Sequence, residues 1–317
     1  MDKALQIQKQ VIDVLGTDEV YLVGGSVRDL VMGNTPKDYD FCTPMLPEEM
    51  EARIKAAGRK PYGIGKKFGT MGFKVEVPIG NQGLAERFGE AFGLKLVPQY
   101  EYVEVTTFRS EVYTSKSRKP EVTFVPSLDE DLARRDFTFN AMVLRPDGTI
   151  YDPYGGKLDV HAKLIKTVGM PKNRIMEDPL RMLRAARFAA RYGFSIDANF
   201  IGKARQLADR IYDVSVERWV QELDKLLTSD NPSVGLEALT GMGILERILP
   251  EIKKVGIESI TRNADTAWVC LLDNIATPEN IKEPTRTKRY IHSGICARLK
   301  FSNDRTDIIL GKTKKEN

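Results

Sequence analysis

The stretch that most constrains this chain runs from Glu19 to Thr43, EVYLVGGSVRDLVMGNTPKDYDFCT. Val20-Tyr21-Leu22-Val23 is an apolar run short enough and β-branched enough to form a buried strand. Gly24-Gly25-Ser26 breaks that strand, Val27 to Met32 supply one or two helical turns, and Gly33-Asn34-Thr35-Pro36 ends them. A second strand follows, Asp38-Tyr39-Asp40-Phe41. Side chains alternate across a strand, so Asp38 and Asp40 are expected on the same side. Two carboxylates held together are unfavourable unless positive charge lies between them, and a divalent cation is the natural candidate. Glycines between a strand and a helix let backbone N–H groups approach a phosphate at the positive end of the helix. Arg28 would add a charged fork to the same phosphates.

At 317 residues the chain can bury a substantial core in two or three compact units. No apolar run approaches the roughly 20 residues a membrane span needs, and MDKALQIQKQ lacks a signal-peptide core. Cys42, Cys270 and Cys296 have no paired spacing, which points to a reduced, cytoplasmic setting and away from a zinc site. From Lys282 onward ten Lys/Arg face four Asp/Glu, although the whole chain carries only +4. A basic tail on a near-neutral body suits a polyanion such as RNA, and a solvated C-terminus would have the same composition.

Strand, Gly-Gly turn, VRD helix and D-Y-D strand, in that order, resemble the head of the class II tRNA nucleotidyltransferases (CCA-adding enzymes) and the related bacterial poly(A) polymerases. The fold this implies is α+β, with an N-terminal polymerase β-like nucleotidyltransferase head over 1–150, a helical neck over 151–214, and a helical body with a short basic tail over 215–317. The resemblance implies Mg²⁺ on Asp38 and Asp40, and a triphosphate held by Gly24, Gly25, Ser26, Arg28 and Arg135. With His161 and His292 the only histidines, the His-Asp phosphohydrolase domain carried by some family members is excluded.

Further motifs follow in the family's order. DKALQIQKQVIDVL (2–15) suits an amphipathic helix, and PEEMEARIKAA (47–57) a second, with Pro at its start and Gly58 beyond its end. Tyr62 to Val77, punctuated by glycines, reads as turns and a hairpin. Residues 78–99 look like an insertion with a small helix over Leu84 to Phe92. YVEVTTFR (102–109) alternates as a strand, and the resemblance suggests Glu104 as a third carboxylate beside the Asp pair; an exposed edge-strand Glu would look the same. The polar run SEVYTSKSRKPEV matches a mobile loop near the family's active site. LDEDLARRDFTFNAMVL (128–144) resembles the family's RRD-xxx-NA element, and Asp147-Gly148 predicts a hairpin turn.

Glu177-Asp178-Pro179 is expected to open a helix through LRMLRAARFAARY. Arg181, Arg184, Arg187 and Arg191 then fall within one third of its circumference, opposite Met182, Leu183 and the alanines. Such a stripe equally suits a solvated face. ED-xx-R-xx-R resembles the family motif in which Asp178 and Arg181 would pair with the edge of the incoming base, and Arg184 and Arg187 would contact nucleotide phosphate or the RNA end. SVERWVQELDKLL (215–227) resembles the next motif, with Ser215 as its cap.

These resemblances imply an enzyme that adds C and A from CTP and ATP to the 3′ end of tRNA without a template. Poly(A) addition to RNA 3′ ends is the alternative, and a non-catalytic RNA-binding protein on the same scaffold is a distant one. The Gly-Gly turn has neither a P-loop nor a Gly-x-Gly-x-x-Gly spacing, which excludes the common kinase and dinucleotide sites.

Overall fold

The structure is a computed structural model that describes residues 1–63, 65–77, 99–112, 121–252, 261–273 and 292–311. Residues 78–98 of the insertion with its suggested helix, residues 113–120 of the polar run and much of the basic tail therefore lie outside the described residues. The chain divides into two compact units, one of Met1–Val112 with Pro120–Ala162, the other carrying Lys163–Asn317.

The first unit is built on a six-stranded mixed sheet, in the order β3-β4-β2-β1-β7-β8. Its strands are β1 (Tyr21–Val23), β2 (Tyr39–Thr43), β3 (Thr70–Glu76), β4 (Tyr100–Thr107), β7 (Val143–Leu144) and β8 (Ile150–Tyr151). A separate hairpin pairs β5 (Arg109–Val112) with β6 (Glu121–Phe124). Asp147 makes the β7–β8 turn, its carboxylate accepting the Thr149 N–H at 2.8 Å.

Alternation decides which face is core. Tyr39 pairs with Val103 and Phe41 with Val105 across β2 and β4, and Phe73 and Met71 continue those rows onto β3. All six are essentially buried. Helices α1 (Asp2–Leu15) and α3 (Pro47–Ala56) pack toward the sheet, with Ile7, Val11, Met50 and Ile54 fully buried. Gln8 fixes α1 to the sheet, its amide donating to the carbonyls of Val20 and Leu144 at 2.8 and 3.1 Å.

The opposite face divides in two. Val23, Cys42, Phe108, Leu132 and Val143 form a second apolar cluster, capped by α4 (Leu128–Ala133). Farther back along β2 and β4 the same face carries Asp40 and Glu104, both exposed. A face closed by apolar packing at one end and lined by carboxylates at the other is the platform for the site.

The second unit is mostly helical: α6 (Pro171–Glu177), α7 (Arg181–Tyr192), α8 (Ala198–Gln206), α9 (Val216–Leu227) and α10 (Pro232–Gly241), after the short α5 (Gly156–His161) of the first unit. Asp197 caps α8 by accepting the Phe200 N–H at 3.0 Å. Ser215 stands at the N-cap of α9 without a side-chain cap bond, so the expected Ser cap is one of position only. α7 packs against α9 and α10, and the approach is close because Gly235 faces Ala190 and Leu226; a Cβ there would lie 2.8 Å from each. Short helices α11 (Leu245–Ile248), α12 (Ala264–Asp273), α13 (292–298) and α14 (Asn303–Ile309) complete the described part. No described helix is long and apolar enough to cross a membrane. All three cysteines are free.

Candidate active site

The sheet positions the carboxylates. Asp40 lies in register with Glu104 on the neighbouring parallel strand, so the two side chains stand on the same face. β2 starts at Tyr39, which places Asp38 one residue outside the strand rather than within it. Asp38 is nevertheless near enough for its charge to act on Asp40. Packing around Asp40, then the negative charges of Glu104 and Asp38, push its carboxyl up to about 6, against a smaller opposing pull from Arg135. Its surface remains open to water all the same.

The Gly24-Gly25 turn between β1 and α2 (Gly25–Val31) has a role the sequence reading did not include. Gly24 has φ 71°, and a Cβ there would come within 3.1 Å of an Arg135 Nη. A Cβ on Gly25 would come within 3.2 Å of an Arg28 Nη. The two glycines thus make room for two guanidinium groups as well as for any ligand.

Both guanidinium groups are held from behind. Arg28 is 5% exposed and donates to Asp29 at 2.8 Å and to the Asn140 side chain at 2.8 Å. Asn140 in turn donates to Asp136 at 3.0 Å. Arg135 donates to Asp131 at 3.0 Å and to the Asn140 carbonyl at 3.3 Å. Asp131 is 1% exposed and also accepts from Arg134 at 2.7 Å and from the Arg109 amide at 3.2 Å. Burial alone would raise the Asp131 carboxyl, but Arg135 and Arg134 outweigh it and hold the group below its usual range. The buried Nε of Arg135 has no hydrogen-bond partner among the described residues. The RRD-xxx-NA element is therefore a scaffold for both arginines, with Asp131, Asp136 and Asn140 as supports.

Ser26 was expected on the triphosphate. It is 3% exposed, its hydroxyl donates to the Asp38 carbonyl at 2.9 Å, and its oxygen accepts the Asp40 N–H at 3.3 Å. Here it ties α2 to the carboxylate segment. A serine two residues before Arg28 carried no sequence signal of that task.

These residues suit Mg²⁺. Asp40 carries unfavourable neighbouring negative charge that a cation would relieve. No group of three His, Cys, Asp or Glu side chains forms a closed metal cage among the described residues. Mg²⁺ does not require one, since it binds through one or two carboxylates and keeps water and phosphate oxygens in its shell.

In the second unit the expected base-reading helix opens where the Glu177-Asp178-Pro179 pattern puts it, directly after a separate shorter helix. α6 ends at Glu177, Asp178 is extended (φ −141°, ψ 101°), and α7 starts at Arg181. An extended conformation is what a residue before proline favours, and Asp178 stands just ahead of the helix, its carbonyl accepting the Arg181 N–H at 3.0 Å. The Asp178 carboxylate accepts from Arg218 at 2.9 Å and from the Leu180 amide at 3.1 Å. Arg181 donates to Glu177 at 2.7 Å and to the Arg174 carbonyl at 2.9 Å. The arginine stripe is not a solvated face: α6 engages Arg181 through Glu177 and the Arg174 carbonyl, and α9 engages Arg187 through Glu222. Arg181 and Arg187 are buried, Arg184 is part-exposed and, of the four, Arg191 alone is exposed. Arg187 donates to the buried Glu222 of α9 at 2.5 Å, and Arg184 lies 3.7 Å from the same carboxylate. Arg218, which the sequence reading passed over, is the charged partner of Asp178.

Residues 20–166 match the poly A polymerase head domain, and residues 193–255 match a probable RNA and SrmB-binding site of polymerase A. The chain is 38% identical over 251 residues to the CCA-adding enzyme of Geobacillus thermodenitrificans, covering 79% of this chain and 55% of that protein. Against the CCA-adding enzyme of Bacillus subtilis the identity is 34% over 247 residues, covering 78% and 55%. The chain therefore spans little more than half the length of these curated relatives. Among solved structures, the Bacillus stearothermophilus CCA-adding enzyme in complex with CTP superposes with a TM-score of 0.61 at 30% identity, over 98% of this chain and 66% of that one. The Thermotoga maritima CCA-adding enzyme complexed with tRNA shares the fold, with a TM-score of 0.61 at 18% identity over 99% and 82%.

Proposed function

Because the chain belongs to the family of CCA-adding enzymes and related poly(A) polymerases, we propose that it adds C and A from CTP and ATP to the 3′ end of tRNA without a template. The observation that carries this reading is the pairing of the Asp40–Glu104 face with two arginines seated on the Gly24-Gly25 turn. One half of such a site handles a reacting phosphate and the other holds a charged triphosphate.

Asp38 and Asp40 would hold Mg²⁺. When bound, that ion supplies positive charge to phosphate oxygens and favours the deprotonated 3′-hydroxyl. Glu104 lies beside Asp40 to orient the attacking hydroxyl or a water in its path. Arg28 and Arg135 would bind the triphosphate oxygens; each is pre-oriented by a carboxylate, which limits the side-chain entropy lost on binding. Asp178 and Arg181, with Arg184, would select the base by hydrogen bonding, so that a misfit leaves polar groups unpaired. The reading places the protein in the cytoplasm, where tRNA and its nucleotide substrates meet.

The test is extension of a tRNA lacking its 3′ CCA with Mg²⁺, offered CTP, ATP, or both. Two C and one A followed by a stop is the expected product. A long A ladder on any RNA would move the assignment to poly(A) addition. No extension by the wild type would leave an RNA-binding protein.

A further inference from the structure

The open face of the sheet carries an aromatic ledge beside the carboxylates. Tyr102 precedes Glu104 by two residues on β4 and so shares its face. Its ring lies across Gly72 of β3, the residue in register with Glu104: a Cβ at Gly72 would sit 1.9 Å from the Tyr102 hydroxyl and 2.4 Å from Cζ. Gly72 has no positive φ, so the ring, not the backbone, requires a glycine here. Tyr62 reaches the same spot from the preceding turn. Its backbone exchanges two hydrogen bonds with Gly72, at 2.7 and 2.9 Å. Its ring meets that of Tyr102 edge-on, with centroids 5.7 Å apart and planes at 62°. Lys60 Nζ lies 5.8 Å from the Tyr62 ring. Although braced on two sides, Tyr102 remains 41% exposed.

Strand order gives the ledge its direction. The arginines sit over the β1–α2 turn, Asp40 on β2, Glu104 and Tyr102 on β4, and Gly72 on β3. The carboxylates therefore lie between the arginines and the tyrosines. In phosphoryl transfer the attacking and leaving oxygens are in line on opposite sides of the phosphorus. If the triphosphate lies on the arginine side, the acceptor strand arrives from the tyrosine side. A neutral π-face held flat on the sheet suits a nucleobase, and stacking accepts any base.

We propose that Tyr102, backed by Gly72 and braced by Tyr62, is the stacking platform for the 3′-terminal base of the acceptor RNA, with Lys60 placed for a nearby phosphate. The proposal rests on the nucleotidyltransferase reading for its direction, and its test separates the two. The probe is a tRNA transcript lacking CCA with 2-aminopurine as its 3′-terminal base, titrated without Mg²⁺ or nucleotide so that no turnover occurs. Wild type is expected to quench the probe. Tyr102→Leu, which keeps a side chain over Gly72, should lose the quench and weaken RNA binding by about five- to a hundredfold. Tyr102→Phe should retain both to within about twofold. In extension assays Tyr102→Leu should raise KM for RNA and leave KM for CTP in place. A Tyr102→Leu protein that folds, quenches and binds RNA like wild type would overturn the proposal, because the ring then only shields a glycine. A rise in KM for CTP alone would overturn it too, giving the ring to the incoming base. If wild type quenches the probe through Tyr102 but extends no RNA, the ledge stands and the polymerase reading falls.

Discussion

The hydroxyl oxygen of Ser26 accepts the backbone N–H of Asp40 at 3.3 Å while its proton goes to the carbonyl of Asp38 at 2.9 Å. One buried side chain thereby sets where both candidate metal carboxylates leave the backbone. The Gly-Gly turn and the D-Y-D segment are coupled through that atom, and displacement of the turn would move the carboxylates with it.

Ser26→Ala should therefore lower kcat more than it raises KM. Misplacement by about 1 Å far from the bond being made is enough for about a hundredfold loss, and we expect about ten- to a hundredfold in kcat, with KM for CTP within about threefold. Steady-state extension kinetics on a tRNA lacking CCA make the comparison. A change confined to KM for nucleotide would return Ser26 to the triphosphate.

Asp40 gives a pH-dependent signature that needs no substrate. Its folded-state pKa is about 6, against an ordinary value of 3.8. Between these values the folded state binds more protons than the unfolded state, so stability falls as pH rises through that window and stays lowered above it. A shift of this size corresponds to roughly 3 kcal/mol for a group out of water; with the carboxylate open to solvent, about 1 kcal/mol is the realistic share. Asp40→Asn should accordingly melt a few degrees higher than wild type at pH 8 in EDTA, converge with it only below pH 3.8, and catalyse no extension. Mg²⁺ should narrow the gap at pH 8 by stabilising wild type alone. Equal melting at both pH values would mean that no charge is stored there.

Asp131 is the common support of Arg134 and Arg135. Asp131→Ala leaves two guanidinium groups without their buried counter-charge, and breaking such a pair costs about 3 kcal/mol. We expect a clear fall in melting temperature together with a rise of about tenfold in KM for CTP, as Arg135 loses its fixed orientation. A fall in melting temperature with KM unchanged would detach Arg135 from the nucleotide.

What was legible in the sequence and what was not follow a physical division. The strand–turn–helix–turn–strand head was readable because alternation and turn chemistry act locally: Asp2–Leu15, Pro47–Ala56 and the Asp147-Gly148 hairpin lie where the pattern puts them. The register that sets Glu104 against Asp40 spans more than sixty positions and has no local signature, and the resemblance supplied it. The helix start at Glu177-Asp178-Pro179 is legible in the same local way, whereas the short helix that ends at Glu177 and the pairing of Asp178 with Arg218, forty positions away, have no local signal. The surroundings of the arginine stripe were hidden for a related reason. Periodicity reports which residues share a face of α7, but not that α6 engages Arg181, nor that Glu222 of α9 supplies a buried counter-charge to Arg187.

That counter-charge gives the sharpest test of what Arg187 does. It is 8% exposed and Glu222 6%, so both ends of the pair are removed from water. Deleting one end of a buried pair is strongly destabilising, by about 3–5 kcal/mol, whereas replacing both with apolar groups of similar size is often close to neutral. Arg187→Met and Glu222→Met should each lower the melting temperature sharply, and the double variant should recover most of the loss, a coupling readable as a double-mutant cycle. The recovered double variant then separates packing from chemistry. If Arg187 serves only to hold α7 against α9, the double variant extends RNA with a KM for CTP within about twofold of wild type. A stable double variant whose KM for CTP rises tenfold or more would instead give Arg187 the nucleotide contact that the family resemblance implies, made when the guanidinium exchanges Glu222 for a phosphate.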